Sequence, residues 1–240
     1  MGILIQRAVN VAIRRGVFTR ANPFSLVEKP RLRPKETSVL TIAQSRRFLE
    51  LARDDRFEAL WVVLVTSGLR LGEALALYWD DLDLLKGTLS VRRSLIEVHG
   101  SVEIGPTKTP KSRRRIELGK LAVEALKRRK RAAAREEHQA KLVFPTTLGT
   151  PMRRGNLRRS HFLPLCAKVR VTGIRIHDLR HGMASLALAQ GVSAKVVAER
   201  LGHSTTRLTV DRYSHVLPTL QREAADAIDA ILKVPKDGRK

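Results

Sequence analysis

Apolar residues in this chain recur at helical spacing nearly throughout. In one stretch, from Thr88 to Leu118, the pattern turns to β-branched runs broken by turn residues. That contrast predicts an α+β fold, mainly α-helical, with one small antiparallel sheet inserted among helices. Residues 3 to 15 place Ile3, Leu4, Ala8, Val11 and Ala12 on one helical face. Pro23, Pro30 and Pro34 follow, with few apolar residues between Lys29 and Ser38, which reads as a connector. Thr41-Ile-Ala-Gln44 is a capping-box pattern and predicts a helix to about Ala52. An apolar helix over 57–66 should stop at Gly68, and a further helical run should cover 70–79. Strands are expected at 88–98, 102–104 and 114–118, with Gly100 at a turn. Helices are then expected over 120–140, 155–169, 178–190 (closed by Gly191), from the Ser193 cap to Gly202, over 206–215 and over 219–232.

Charge narrows the partners. Lys and Arg number 46 against 23 Asp and Glu, a formal charge of +23. So much like charge repels itself and calls for a polyanion. It is also clustered: Lys108, Lys111, Arg113, Arg114, Arg115, Lys120, Lys127, Arg128, Arg129, Lys130 and Arg131 form one group. Arg153, Arg154, Arg158 and Arg159 form another. For 127–131 a solvated helix face explains the run as well as a phosphate footprint does. Aromatic residues make up only 4%, which argues against a single-strand binder built on base stacking and favours duplex contact. No apolar run approaches the roughly 20 residues of a membrane span, and the opening segment lacks the order of a signal peptide. One cysteine, Cys166, forms no internal disulfide, which suits a reducing, cytoplasmic setting.

The candidate chemistry is sparse. His177 and His181 lie four apart on one helical face, but they lack the Glu of a zinc-peptidase helix and a third ligand, so no metal is expected. His181 taken alone reads as a capped, partly buried structural residue. Gly68 and Gly72 do not have the spacing of a phosphate-cradling loop, so ATP use is not expected. Asp80, Asp81 and Asp83 cannot all face one site and read as a helix end entering a turn. What remains is Arg70, Arg180, His177, His203, a lysine in a sheet connection, and two tyrosines. Such a set suits phosphoryl transfer without metal. Guanidinium forks hold non-bridging oxygens, histidine and lysine move protons, and a tyrosine can carry the phosphate covalently.

Five segments in order carry a family resemblance. Thr66-Ser-Gly-Leu-Arg70-Leu-Gly-Glu73, Thr107-Lys108-Thr-Pro-Lys111, His177-Asp-Leu-Arg180-His181, Leu201-Gly202-His203-Ser204 and Thr209-Val-Asp-Arg-Tyr213-Ser-His215 together resemble the boxes of the tyrosine recombinases, the phage integrase family. The resemblance implies a site-specific recombinase that breaks and rejoins DNA through a 3′-phosphotyrosine, integrating or excising a phage or other mobile element without cofactor. Tyr213 would be the nucleophile, Arg70 and Arg180 the phosphate clamp, His203 a hydrogen-bond donor to the phosphate, His177 the general base and Lys108 the general acid. Glu73 would support the site, and Lys111 remains a rival to Lys108. DNA contacts are expected from Lys111, Arg113, Arg114, Arg153 and Arg154. Double-stranded DNA is the implied partner, bound as a homotetramer, with an accessory DNA-bending protein and no membrane. The expected organisation is a remnant of a helical core-binding domain plus linker over 1–36, a catalytic domain over 37–234 and a basic tail over 235–240. Loss of half the DNA grip would make binding weak and salt-sensitive. The helix over 219–232, with Ala224, Ala225, Ile228, Ile231 and Leu232 at helical spacing, would dock on a neighbouring protomer or on its own domain. Two other readings stay open: a type IB relaxing topoisomerase, and a catalytically idle DNA-binding prophage remnant or regulator on the same fold.

Overall fold

The structure is a computed structural model and describes residues 2–25, 27, 39–98, 100–107, 112–213, 226, 228 and 231. Lys108, Lys111 and His215 lie outside the described residues, as do Pro30, Pro34, the tail over 235–240 and most of the helix expected over 219–232. The chain divides into two compact units, Met1–Glu36 and Thr37–Lys240. In the first, helix α1 (Gly2–Arg14) is clasped by Asn22, whose Nδ2 donates to the Gln6 carbonyl at 3.1 Å and to Asn10 Oδ1 at 2.7 Å.

The second unit is built around one helix. In α2 (Ile42–Leu51), the Gln44 amide donates to Thr41 Oγ1 at 3.2 Å and the Thr41 amide donates to Gln44 Oε1 at 2.9 Å, which is the expected capping box. Next comes α3 (Glu58–Ser67), apolar on all sides and accordingly buried from Ala59 to Leu64. It packs against α5 (Lys120–Ala133) and α8 (Ile176–Ala189). Trp61 meets Phe48 edge-on at 5.9 Å and Phe162 at 5.8 Å. Burying each of these rings contributes about 1.5–3 kcal/mol. The remaining helices are α4 (Leu71–Leu75), α6 (Arg154–Leu157), α7 (Leu163–Val169), α9 (Ala194–Leu201) and α10 (Arg207–Tyr213). A π turn, Arg158–Phe162, joins α6 to α7 just before Pro164, which has no amide hydrogen to donate.

Three expectations are corrected. The helix expected over 70–79 ends at Leu75, because beyond it the backbone is held by a distant segment: the Trp79 amide donates to the Lys141 carbonyl and the Val143 amide to the Leu77 carbonyl. The helix expected to reach residue 140 ends at Ala133. There Arg129, from the run read as solvated or DNA-facing, is buried and turns inward to the Val143 carbonyl (2.8 Å) and to both carboxylate oxygens of Glu136. Among the described residues the single expected sheet is two. Strands β1 (Leu82–Asp83), β2 (Thr88–Val91) and β5 (Arg114–Glu117) form one, and β3 (Arg93–Val98) and β4 (Ser101–Pro106) form a separate hairpin. The break falls where Arg93 reaches back to the buried Asp81, at 3.0 and 3.1 Å, and lies over the Tyr78 ring. Asp81 closes the short 3-10 turn Trp79–Asp81, as its pattern suggests, and is in addition a buried acceptor.

Candidate active site

Arg70 stands at the start of α4, immediately after the break that ends α3. Gly68 makes that break with φ +67°, and a Cβ there would lie 2.1 Å from Met183 Cε. The left-handed turn favours glycine there, and a larger residue would also have to displace the Met183 side chain. Three residues on, Glu73 is 3% exposed. Its carboxylate accepts from the Arg70 amide (2.9 Å), Arg70 Nη1 (2.8 Å) and Arg114 Nη2 (2.9 Å). Burial works to raise the Glu73 pKa, but hydrogen bonds and charge from Arg114, then from Arg70, outweigh it and hold the carboxyl below its ordinary 4.5. A cavity of about 300 Å³ opens over this pair, lined by Arg70, Glu73, Ser94, Thr107, His203 and Ser204. Ser112 lines it as well, so both residues flanking 108–111 border the same space.

Arg180 lies beneath. It is 3% exposed, and its Nη1 and Nη2 donate to the carbonyls of Gly68 (2.6 Å) and Leu201 (2.8 Å). Burial, followed by the like charges of Arg70 and Arg114, pulls its pKa down to about 9, against the opposing pull of Glu73 and Tyr213. It remains cationic at neutral pH. Two guanidinium groups thus pair with the Glu73 carboxylate and the charge of Arg180 adds to theirs, an excess of positive charge that an incoming anion relieves.

Tyr213 ends α10 and is also 3% exposed. Its phenol lies 2.7 Å from Nδ1 of His181, the residue next to Arg180. His181 is buried, as its sequence pattern suggests, and the partner that its pattern did not reveal is this phenol. His177 is exposed one turn earlier, with its ring 4.8 Å from that of His181 in an edge contact. His203 follows Gly202, the left-handed cap of α9, and its Nδ1 lies 2.8 Å from the hydroxyl of the buried Thr209. The structure therefore brings Arg70, Glu73 and His203 to the cavity, with Arg180, His181 and Tyr213 buried alongside.

The basic residues separate into outward and inward groups. Arg113 is exposed and, with Arg92 and Arg93, borders a depression of about 710 Å³ between the two sheets. Arg153 and Arg154 are exposed, yet each donates to the β3–β4 hairpin, at the Gly100 and Leu95 carbonyls. Arg114, expected on the DNA-facing surface, is turned inward onto Glu73, with its side chain 8% exposed. One signal for this lay in the sequence, the Glu73 carboxylate, but it does not say which arginine pairs with it. Burial pushes the Cys166 thiol up to about 11 and removes it as a nucleophile. Among the described residues no group of three His, Cys, Asp or Glu is placed to hold a metal ion.

The sequence signature described as "Phage integrase family" matches residues 38–219. This chain belongs to that family. It is 29% identical over 238 residues to the ICEBs1 integrase of Bacillus subtilis (strain 168), covering 95% of this chain and 64% of that protein. It is 32% identical over 245 residues to an integrase of Streptomyces ambofaciens, covering 95% and 62%. The chain thus spans somewhat less than two thirds of these integrases. Among solved structures its fold is similar to the Tn1549 transposon integrase in complex with a circular intermediate DNA. There the TM-score is 0.75 at 22% identity, over 93% of this chain and 76% of that one. It is also similar to the XerA recombinase, with a TM-score of 0.65 at 21% identity over 92% and 73%. The mainly helical α+β architecture with small antiparallel sheets is that of the phage integrase fold.

Proposed function

We propose that residues 37–234 form the catalytic domain of a site-specific recombinase that cuts and rejoins duplex DNA in a mobile element through a 3′-phosphotyrosine. The observation that carries this reading is the pairing of Arg70 and Arg114 with the buried Glu73, with Arg180 held on the Gly68 and Leu201 carbonyls, beside a buried tyrosine whose phenol lies 2.7 Å from a histidine nitrogen. The Tyr213 oxygen attacks the phosphorus, and the bond from phosphorus to the 5′ oxygen breaks. Arg70, Arg180 and His203 take up the charge that develops on the non-bridging oxygens. Lys108 protonates the departing 5′ oxygen; in support, Thr107 and Ser112 on either side of its segment border the cavity. The phenolic proton goes to the histidine pair of α8. His181 holds the phenol, and His177 is the base that the resemblance names. Tyr213 is buried, so attack requires α10 to shift toward the cavity. Ester energy is conserved in the protein–DNA link, and rejoining consumes no nucleotide.

Double-stranded DNA is the substrate, and Arg113, Arg153, Arg154 and Lys111 supply backbone contacts. Residues 1–36 correspond to the last helix and exit linker of a core-binding domain. The assembled enzyme is a homotetramer on DNA in the cytoplasm, aided by a DNA-bending protein. The test is a nicked duplex carrying the element's junction, incubated in EDTA and resolved under denaturing conditions. Wild type should leave a covalent adduct and Tyr213→Phe none. Adduct persisting in Tyr213→Phe refutes the nucleophile, and a chain that shifts the duplex without ever forming adduct is a binding protein.

A further inference from the structure

We propose that Arg114 is a positioning residue for cleavage, not a DNA contact: it locks three separate pieces of the site into one frame. This rests on the recombinase reading above and deepens it. Arg114 opens β5, next to Ser112 and the segment 108–111. Its Nη2 donates to Glu73 Oε2 at 2.9 Å and its Nη1 to Oε1 at 3.3 Å, a two-point pairing with the carboxylate that also holds Arg70. Nη1 donates in addition to the Ser112 carbonyl at 3.0 Å, and Nε to the Arg200 carbonyl at 2.7 Å, in the last turn of α9.

The turn that follows is fitted around this side chain. A Cβ at Gly202, whose φ is +67°, would lie 2.9 Å from Arg114 Nη1 and 3.2 Å from its Cζ. The backbone therefore runs directly over the guanidinium, and the next residue is His203. One planar group thus fixes the strand that follows the lysine segment, the Arg70–Glu73 pair and the turn that presents His203. A lysine cannot replace it, because a single ammonium has no rigid fork to match the carboxylate and the Arg200 carbonyl together.

The mechanism is preorganisation. Arg70 is the more exposed of the two arginines on Glu73, its side chain 41% accessible against 8% for Arg114. Without Arg114 the carboxylate would be free to follow Arg70 instead of holding it. Misplacement of a clamp by a fraction of an ångström costs rate rather than affinity.

The experiment measures single-turnover adduct formation at saturating nicked duplex, duplex affinity against salt, and thermal unfolding for Arg114→Met, Arg114→Lys, Arg70→Ala and the Arg70→Ala/Arg114→Met double variant. Arg114→Met should slow cleavage by about 100-fold, while affinity changes by less than about threefold and the slope of log affinity on log salt stays at the wild-type value. Arg114→Lys should fall between, about tenfold slower; it keeps the charge and serves if the Met variant does not fold. The double variant should lose clearly less than the product of the two single losses, because the part of Arg114's effect that passes through Arg70 is already gone. A salt slope lower by about 1 would make Arg114 a phosphate contact and overturn the proposal. Multiplying losses in the double variant would overturn it too, as would wild-type cleavage by Arg114→Met. If wild type itself forms no adduct, the recombinase reading falls and the proposal with it. If wild type cleaves and Arg114→Met is folded but inert at unchanged affinity and salt slope, the positioning role stands.

Discussion

The two halves of the candidate site are held by different forces. The Arg70 half is tied into the main core: α3 is apolar on every side, and a buried carboxylate joins two arginines from different elements. The Tyr213 half belongs to a smaller cluster, in which the phenol ring packs with Met183, Ala184, Leu188, Val197 and Leu201. There the nucleophile's polar atom lies 2.7 Å from the His181 imidazole. The difference is one of purpose. Charge stabilisation works when the charges are fixed before the reaction begins. A nucleophile that must reach a phosphorus atom has to be releasable. Core burial and ion pairing serve the first need, and a small satellite cluster serves the second.

The largest expected effect breaks the fixed half chemically. Arg70→Ala should slow adduct formation by about 10³-fold with duplex binding nearly unchanged, because one preorganised donor to the developing charge is lost. Single-turnover cleavage beside a mobility-shift titration checks this. Equal loss of rate and affinity would show that Arg70 only binds DNA. Next in size, Glu73→Ala should lower unfolding free energy by about 3 kcal/mol, because it leaves the buried Arg114 charge unpaired. Denaturant titration measures it. A loss below about 1 kcal/mol would mean that solvent replaces the carboxylate and that the fixed half is not fixed by this ion pair.

Most of the fixed half could be read along the chain. The Thr41 box, the stop at Gly68 and the cap at Gly202 are local signals, and each lies where the sequence pattern puts it. Arg70 and Glu73 are three apart and meet across one turn. The partners of this pair were not legible. Arg114 is 41 positions from Glu73, and nothing in a run of basic residues marks the one that turns inward. The same applies to His181, which is 32 positions from Tyr213, so its pattern alone suggests an ordinary capped histidine. The split of the sheet was hidden for a related reason. β-branched runs announce strands, but the break depends on Arg93 reaching Asp81 twelve positions earlier.

The third prediction tests the releasable half. His181→Phe should slow adduct formation by roughly 10- to 100-fold while leaving duplex binding intact, since it removes the base nearest the phenol. His177→Phe, assayed in parallel, separates the two histidines. If only the His177 variant is slow, the contact between His181 and Tyr213 merely parks the side chain. If the His181 variant is faster than wild type, the contact restrains the nucleophile.

The smallest effect compares the two halves by acid titration. Glu73 in one half and Asp178, on the α8 helix that carries His181 of the other, both have folded-state pKa values below their ordinary 4.5 and 3.8. For each, burial works upward, while Arg114 and Arg70 in the first case and Arg175 in the second pull further downward. A carboxyl depressed in the folded state stabilises the protein above its unfolded pKa, and that stabilisation is lost as pH falls through the folded value. Glu73→Gln should therefore flatten the decline in stability below about pH 4.5, and Asp178→Asn should flatten it below about pH 3.8. The first effect should be the larger. The Arg114 partner of Glu73 is 8% exposed, whereas the Arg175 partner of Asp178 is 67% exposed and screened by water. Urea midpoints collected from pH 6 to pH 3 for both variants measure the two slopes. Equal slopes would mean that solvent reaches both carboxylates alike, and the two halves would then differ in packing but not in electrostatic anchoring.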